Sequence, residues 1–322
     1  MQYEIEVFGH EQRAAFRAAF AKSSKSVDPA VQARREWWCF DNPNGGAFAI
    51  IRTDGAIAAT CYLGGKRITL NDEEMAAFEI GETATEPAHQ RKGLFTRIGT
   101  ASVDYARSHG DRVVYGTPNN QATPGWIKQG FEIVRDNASW LYLIICPAYW
   151  LRLNIYAITK LFGRKRPTEL TAEQYIQETL AFSRLNVSSR PYLQWRLVDS
   201  PSAYRFFKRT YGTSVFLCAS KIGGLGRFPM IIASEYFFDG RKPSIRIASS
   251  MLRETLWTFY DPREYAGIYI HGFRPSGLRR YLYNFLGVVP HRQLPVCVQN
   301  HGSVKQSADW FKHFQLSDCD IG

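Results

Sequence analysis

Apolar and polar residues alternate from Tyr3 to Val7, the period-2 pattern of a half-buried strand. From Glu11 to Ala21 the pattern changes to an Ala-rich helical stripe. Pro29 to Cys39 reads as a second helix, with proline in its first turn. The turn cluster Asn42-Pro43-Asn44-Gly45-Gly46 ends it. Two apolar runs, Phe48 to Ile51 and Ile57 to Tyr62, flank Thr53-Asp54-Gly55 and predict a hairpin. Met75 to Thr85 reads as a further strand. The helical stripe then returns over Gly93 to Ser108, where Leu94, Ile98, Ala101 and Tyr105 recur at steps of four, three and four. Arg112 to Tyr115 predicts a strand and Gln121 to Gln129 a short helix. Two strands, Phe131 to Val134 and Ser139 to Ile145, close a first domain of residues 1–146. Strands interleaved with helices predict an α/β class, a mixed sheet with flanking helices.

Residues 147–167 read as a helical connector. Trp150, Leu153, Ala157, Ile158 and Leu161 share one helical face, and Arg164-Lys165-Arg166 follow. The plainer reading is a helix packed between domains; the alternative is contact with a membrane surface through an apolar face and a basic anchor. Residues 168–322 form a second domain whose sequence echoes the first. Trp38, followed by Pro43, is matched by Trp195, followed by Pro201. Trp126 with Gly130-Phe131 is matched by Tyr283 with Gly287-Val288. A duplication is the economical account.

A chain of 322 residues fits two domains. No apolar run reaches the length of a membrane span, and the start, Met1 to Glu6, lacks the basic and apolar blocks of a signal peptide, so a cytoplasmic location is expected. Six cysteines (Cys39, Cys61, Cys146, Cys218, Cys297 and Cys319) are scattered with no Cys-x-x-Cys pair, and the seven histidines form no His-x-x-x-His pair, so no metal is expected. Charge is unevenly shared. Residues 1–146 hold 16 Lys/Arg against 17 Asp/Glu, and residues 147–322 hold 24 against 12, so the net +11 comes from the second half. This suits either a solvated basic surface or an anionic partner.

The chemistry concentrates in Gly81 to Phe95. A strand ends near Thr85, Pro87 stops it, the basic turn Gln90-Arg91-Lys92-Gly93 follows, and a helix opens at about Gly93. Such a junction is an anion site, because the first amides of a helix have no internal partner and sit at the positive end of its dipole. About 25 residues later come Pro118-Asn119-Asn120 and a helix ending at Gly130-Phe131. In this order the elements resemble the GNAT acetyltransferases, whose Gln/Arg-x-x-Gly-x-Gly/Ala turn holds the pyrophosphate of acetyl-CoA. Gln90-x-x-Gly93 matches; Phe95 stands where Gly or Ala is usual, and Trp126 where many members place an acidic tyrosine. The resemblance implies a duplicated GNAT-like fold with a degenerate second copy. It implies acetyl-CoA as acyl donor, held by Thr83, Thr85, Gln90, Arg91, Lys92, Gly93, Leu94, Phe95, Thr96, Asn119 and Asn120. It also implies an N-acetyltransferase in which Glu82 or Glu79 deprotonates the amine. Strand alternation sets these two carboxylates on opposite faces, so one is expected to enter the cleft, and Glu82 is preferred.

The acceptor implied is a small amine, anionic in one version: an amino-sugar intermediate of polysaccharide synthesis facing Arg190, Arg196, Arg205, Lys208 and Arg209 of the second domain. No DNA partner is expected. Two rivals stay open. One is an aminoacyl-tRNA-dependent transferase resembling the Fem family, which the basic second half suits. The other is a non-catalytic binding protein on a decayed GNAT fold, which Phe95 and Trp126 suit.

Overall fold

A computed structural model of the chain describes residues 2–23, 29–70, 73–110, 113–143, 167–181, 189–211, 214–225, 228–238, 260, 264–265, 267–271 and 288–299. The first half runs β1 (Glu4–Gly9), α1 (Arg13–Ser23), α2 (Pro29–Phe40), β2 (Gly46–Thr53), β3 (Ala56–Leu70), β4 (Glu73–Thr85), α3 (Leu94–Ser108), β5 (Val113–Gly116), α4 (Thr123–Lys128) and β6 (Glu132–Leu143). The second runs β7 (Thr168–Leu170), α5 (Ala172–Leu180), α6 (Arg190–Leu193), β8 (Tyr204–Tyr211), β9 (Ser214–Leu225), β10 (Phe228–Phe238), β11 (Gly267–His271) and β12 (Val288–Gln299). The connector at 147–167, apart from Pro167, lies outside the described residues, as does the Tyr283 to Gly287 part of the sequence echo.

Among the described residues all twelve strands belong to one sheet, in the order β1-β2-β3-β4-β5-β12-β6-β11-β10-β9-β8-β7. The order reads the same from either edge. β1 to β5 run inward from one side and β7 to β11 from the other. Within each set the last pair, β4–β5 and β10–β11, is parallel and the rest are antiparallel. The two central strands are exchanged: β12 lies antiparallel between β5 and β6, and β6 antiparallel between β12 and β11.

Alternation along β2 explains the layering. Ala47, Ala49 and Ile51 face a core formed with Leu94, Ile98, Val103 and Ala106 of α3, together with Trp126, Phe131 and Cys297. Phe48 and Ile50 face the opposite side, where Phe16 of α1 and Trp37, Trp38 and Phe40 of α2 pack with Tyr62, Tyr192 and Trp195. The two tryptophan segments that echo each other in sequence thus meet in space: Trp37 stacks on Trp195 with ring centroids 4.5 Å apart, and Trp38 lies 5.9 Å from it. Burying a large side chain of this kind contributes on the order of 1.5–3 kcal/mol, so the second half helps to hold α2 on the sheet. α5 begins in a capping box, with Thr171 accepting from the Gln174 amide at 3.2 Å and Gln174 accepting from the Thr171 amide at 2.9 Å.

Candidate functional site

β4 and β5 run parallel only as far as the pairs Glu79–Tyr115 and Ile80–Gly116. Beyond them β4 stays bonded to β3, through a bulge at which Tyr62 pairs with Gly81 and Thr60 with Ala84, while the chain after Gly116 leaves the sheet. The strands therefore splay, and the β5-side edge of β4 from Gly81 to Thr85 has no strand partner among the described residues. A cavity of about 330 Å³ fills the gap. It opens through the sheet: Arg34, Arg35, Trp38 and Tyr62 line it from the α2 side, Ala122, Trp126 and Phe131 from the α3–α4 side. Glu79 to Thr83, Gly116 to Asn119 and Cys297 form the waist.

The two carboxylates named from the sequence both line this cavity, although simple alternation would separate them. The bulge supplies the extra residue that turns Glu82 inward, and Glu82 takes a positive φ of 43°. Its surroundings differ from those of Glu79. The Oε1 atom of Glu82 accepts from Arg34 Nη2 at 2.9 Å and Oε2 from Arg35 Nε at 2.7 Å. Arg35 in turn lies over the Tyr62 ring, 5.2 Å from its centroid. Glu79 is buried and ion-paired to Lys66 at 3.2 Å. The Lys66 ammonium, with no exposed surface, also donates to Tyr192 Oη at 2.7 Å and sits 4.7 Å above the Trp38 ring. Burial disfavours its charge, but the Tyr192 oxygen and the Glu79 carboxylate outweigh that and raise its pKa above the ordinary lysine value. As folded, Glu79 is committed to a structural ion pair, and Glu82 is the carboxylate nearer the opening.

The turn that follows β4 has the geometry of an anion cradle. Arg91 and Gly93 both have positive φ, 61° and 74°. Gly93 is the N-cap of α3, and the first helical hydrogen bond runs from the Arg97 amide to the Gly93 carbonyl at 3.1 Å. The amides of Leu94, Phe95 and Thr96 are then the ones an α-helix leaves unpaired. A Cβ built on Gly93 meets no atom within 4 Å, so the approach to those amides is open. Gln90, Arg91, Lys92, Gly93 and Thr96 are exposed, and Leu94 is buried in the core. Gln90 ties the turn back to β4 by donating from Nε2 to the Thr85 carbonyl at 3.2 Å. On β4, Thr83 Oγ1 lies 3.3 Å from Cys61 Sγ, and Thr85 Oγ1 is buried without a hydrogen-bond partner among the described residues. An unpaired strand edge, an orphaned hydroxyl and open helix amides suit a long ligand with an amide-rich arm and a phosphate end.

Phe95 is half-buried and packs edge-on against Trp126 at 5.0 Å; Trp126 packs likewise on Phe131 at 4.9 Å. Of the two side chains that depart from the expected pattern, Trp126 lines the cavity and Phe95 packs against Trp126 from outside the lining. Asn119 lines the cavity, but its Oδ1 caps the next turn, accepting from the amides of Gln121 and Ala122 at 3.0 and 2.9 Å. Asn120 is exposed and outside the lining. Of the second-half basic residues, Arg190 pairs with Glu173, Arg205 with Glu169 and Lys208 with Glu178, and Arg196 is buried over Trp38. None of these, nor Arg209, is among the lining residues. Arg34, Arg35, Lys66, Tyr192 and Cys297 were not singled out as site residues from the sequence. Lys66 and Tyr192 lie 126 positions apart, which no local pattern reveals.

Among the described residues no helix is long and apolar enough to cross a membrane, and no group of three or more His, Cys, Asp or Glu could hold a metal. No curated protein matches the chain. Solved structures do. N-myristoyltransferase of Saccharomyces cerevisiae with bound myristoyl-CoA aligns over 100% of this chain and 85% of its own, at 10% identity and a TM-score of 0.59. A GCN5-related N-acetyltransferase of Anabaena variabilis aligns over 92% and 72%, at 8% identity and 0.55. One from Kribbella flavida aligns over 92% and 70%, at 10% identity and 0.52. At these identities the likeness is one of fold. Residues 5–134 match the family model described as acetyltransferase (GNAT) domain. The splayed strands, the αL-capped helix and the cavity all fall within that stretch, apart from Cys297 at the cavity's waist, and the chain carries a GNAT acetyltransferase domain there.

Proposed function

We propose that this acyltransferase moves the acetyl group of acetyl-CoA to a small amine by direct attack. The observation that carries the reading is the β4–β5 splay: it opens a cavity through the sheet, with a carboxylate in its wall. The exposed amides of α3 and the side chains of Arg91 and Lys92 would hold the diphosphate, and the free edge of β4 at Gly81 to Thr85 would pair with the pantetheine amides. The thioester supplies an electrophilic carbonyl with a good leaving group. On the α2 side Glu82 takes the proton of the acceptor ammonium. The amine lone pair then attacks the carbonyl carbon, the C–S bond breaks, CoA departs as thiolate, and the nitrogen gives its second proton to solvent as the amide forms. Trp126 cannot protonate it, since an indole N–H only donates a hydrogen bond, and a thiol of modest pKa leaves without help.

We also read the second half as a diverged copy of the first, packed through Tyr192 and Trp195 behind the residues that line the acceptor side. The palindromic strand order and the Trp37–Trp195 stack support this. An amino sugar belongs in the acceptor panel for the basic character of that half. Acetyl-CoA or CoA at about 100 times its Kd should stabilise the native protein by about 2.7 kcal/mol, read as a raised melting temperature. Gly93→Asp sets a carboxylate against the diphosphate and should abolish the shift; an undiminished shift in that variant rules out the turn as the donor site. Glu82→Gln should lower turnover about 100-fold or more while sparing CoA affinity, and silence there assigns the proton to another group.

A further inference from the structure

We infer that the acceptor amine carries an oxyanion, a carboxylate or a phosphate, which docks on Arg34 and Arg35 and so releases Glu82 to act as base. The inference rests on the acyl-transfer reading and names the acceptor class for the same site.

The cavity's charged lining consists of Arg34, Arg35, Glu79 and Glu82. Glu79 is already offset by the buried Lys66 ammonium behind it. Two guanidinium groups then face one carboxylate, and the α2 mouth is left with a surplus positive charge. A cationic amine with no other charge meets repulsion there; an amine that also carries an oxyanion meets a charge pattern complementary to its own.

The geometry restricts how Glu82 can work. Each of its oxygens already accepts from a guanidinium nitrogen, at 2.9 and 2.7 Å, so an arriving ammonium meets a carboxylate whose charge is shared with two cations. Each arginine gives only one nitrogen to Glu82 in these bonds, whereas a guanidinium offers five N–H donors in a planar fork suited to carboxylate and phosphate. The stacking of Arg35 on Tyr62 holds that fork in place at the cavity wall. Glu82 itself is held in a left-handed backbone conformation at the bulge, an uncommon state for a residue with a side chain. An oxyanion taking over the arginine donors replaces the interaction that Glu82 supplied. The freed carboxylate faces the ammonium of the same molecule. One proton passes from nitrogen to Glu82, the nitrogen lone pair goes to the thioester carbon, the C–S electron pair leaves with CoA, and the nitrogen gives its second proton to solvent as the amide forms. The proton on Glu82 returns to solvent when the amide product departs and the arginines close again.

The test measures CoA release by the full-length protein at saturating acetyl-CoA, with matched small amines. Glycine and β-alanine carry a carboxylate, phosphoethanolamine carries a phosphate, and ethanolamine and propylamine carry neither. The oxyanion amines should exceed the neutral-tailed ones at least tenfold in kcat/KM, and whichever of the two anions is preferred identifies the group. Arg34→Gln and Arg35→Gln should bring that ratio towards one, and Arg35→Lys, which keeps charge but loses the fork, should retain part of it. Melting temperatures establish that each variant is folded. A wild-type ratio near one overturns the inference, as does an equal loss for both amine classes in the variants, which would make the arginines mere supports for Glu82. Acetyl-CoA binding without acetylation of any oxyanion amine overturns it too, while the acyl-donor site stands. Absence of any thermal shift with acetyl-CoA or CoA overturns the acyl-transfer reading and this inference together.

Discussion

Lys66 bears a full charge where water does not reach, and its neighbours explain why it persists. Glu79, Tyr192 and the Trp38 face together compensate the lost hydration. Removing one partner of such a pair strands the other, at a cost of about 3–5 kcal/mol, whereas removing both is far cheaper. Lys66→Met should therefore be strongly destabilising in denaturant titrations, and Glu79→Gln added to it should recover much of the loss. Equal stabilities for the single and double variants would show that the pair does not act as a unit. The pH dependence follows from the direction of the lysine shift. Its pKa is higher folded than unfolded, so the stabilisation is complete below the ordinary lysine value of about 10.4 and is lost only as pH rises through the folded value. The penalty of Lys66→Met should accordingly be the same at pH 6 and pH 9. The sequence does not disclose this cluster, because Lys66 reads as one of many polar positions on a strand until the fold brings Tyr192 against it.

At the scale of the element, periodicity was the reliable guide and its breaks were the functional places. The stripe of Leu94 and Ile98 put α3 where it lies, with helix onset one residue after Gly93, and β2, a continuous apolar run, divides its side chains between two cores. The bulge at Gly81 to Ala84 was invisible, because one extra residue leaves no mark in composition, and it alone brings Glu82 into the cavity that Glu79 also lines. α4 shows the opposite case, an end written plainly in the sequence. The Phe131 amide bonds to the Trp126 carbonyl at 3.1 Å and the Gly130 amide to the Ile127 carbonyl at 3.0 Å, with Gly130 at φ 84°, the paired bonds of a Schellman cap. A Cβ on Gly130 meets only Gln299 Nε2, at an ordinary 3.7 Å. The cost of Gly130→Ala is thus conformational, about 1–2 kcal/mol, and should appear as a lowered denaturation midpoint with an unchanged m-value. A neutral substitution would mean that the helix end relaxes out of its left-handed turn.

On the scale of the whole molecule, the sequence suggested two domains joined by a connector, and the similar Trp segments pointed to symmetry. It gave no sign that the central strands trade places, since strand exchange changes partners without changing the pattern of any strand. The consequences are energetic. β5 pairs with β12 through Val114, Tyr115 and Gly116, and Cys297 of β12 lies in the same core as α3. Gln299 Nε2 donates to the Gln129 carbonyl at the end of α4, at 2.8 Å. On the other side β6 is the strand that β11 pairs with. Neither half can therefore unfold while the other keeps its central strand bonded, and the Trp37–Trp195 and Lys66–Tyr192 contacts add to the coupling. Calorimetry of the full chain should show one transition, with calorimetric and van't Hoff enthalpies equal. Two separable transitions would mean that the halves are independent despite the shared sheet. A fragment ending at residue 146 supplies the complementary test. It retains the β4–β5 splay and the turn at Gly93, but leaves the facing edges of β5 and β6 without β12, and such edges promote association between chains. The fragment should be aggregation-prone and show no acetyl-CoA-induced stabilisation. A monomeric, cooperatively folding fragment that binds acetyl-CoA would show that the exchanged strand is an accessory to the site, with β5 and β6 closing directly on each other.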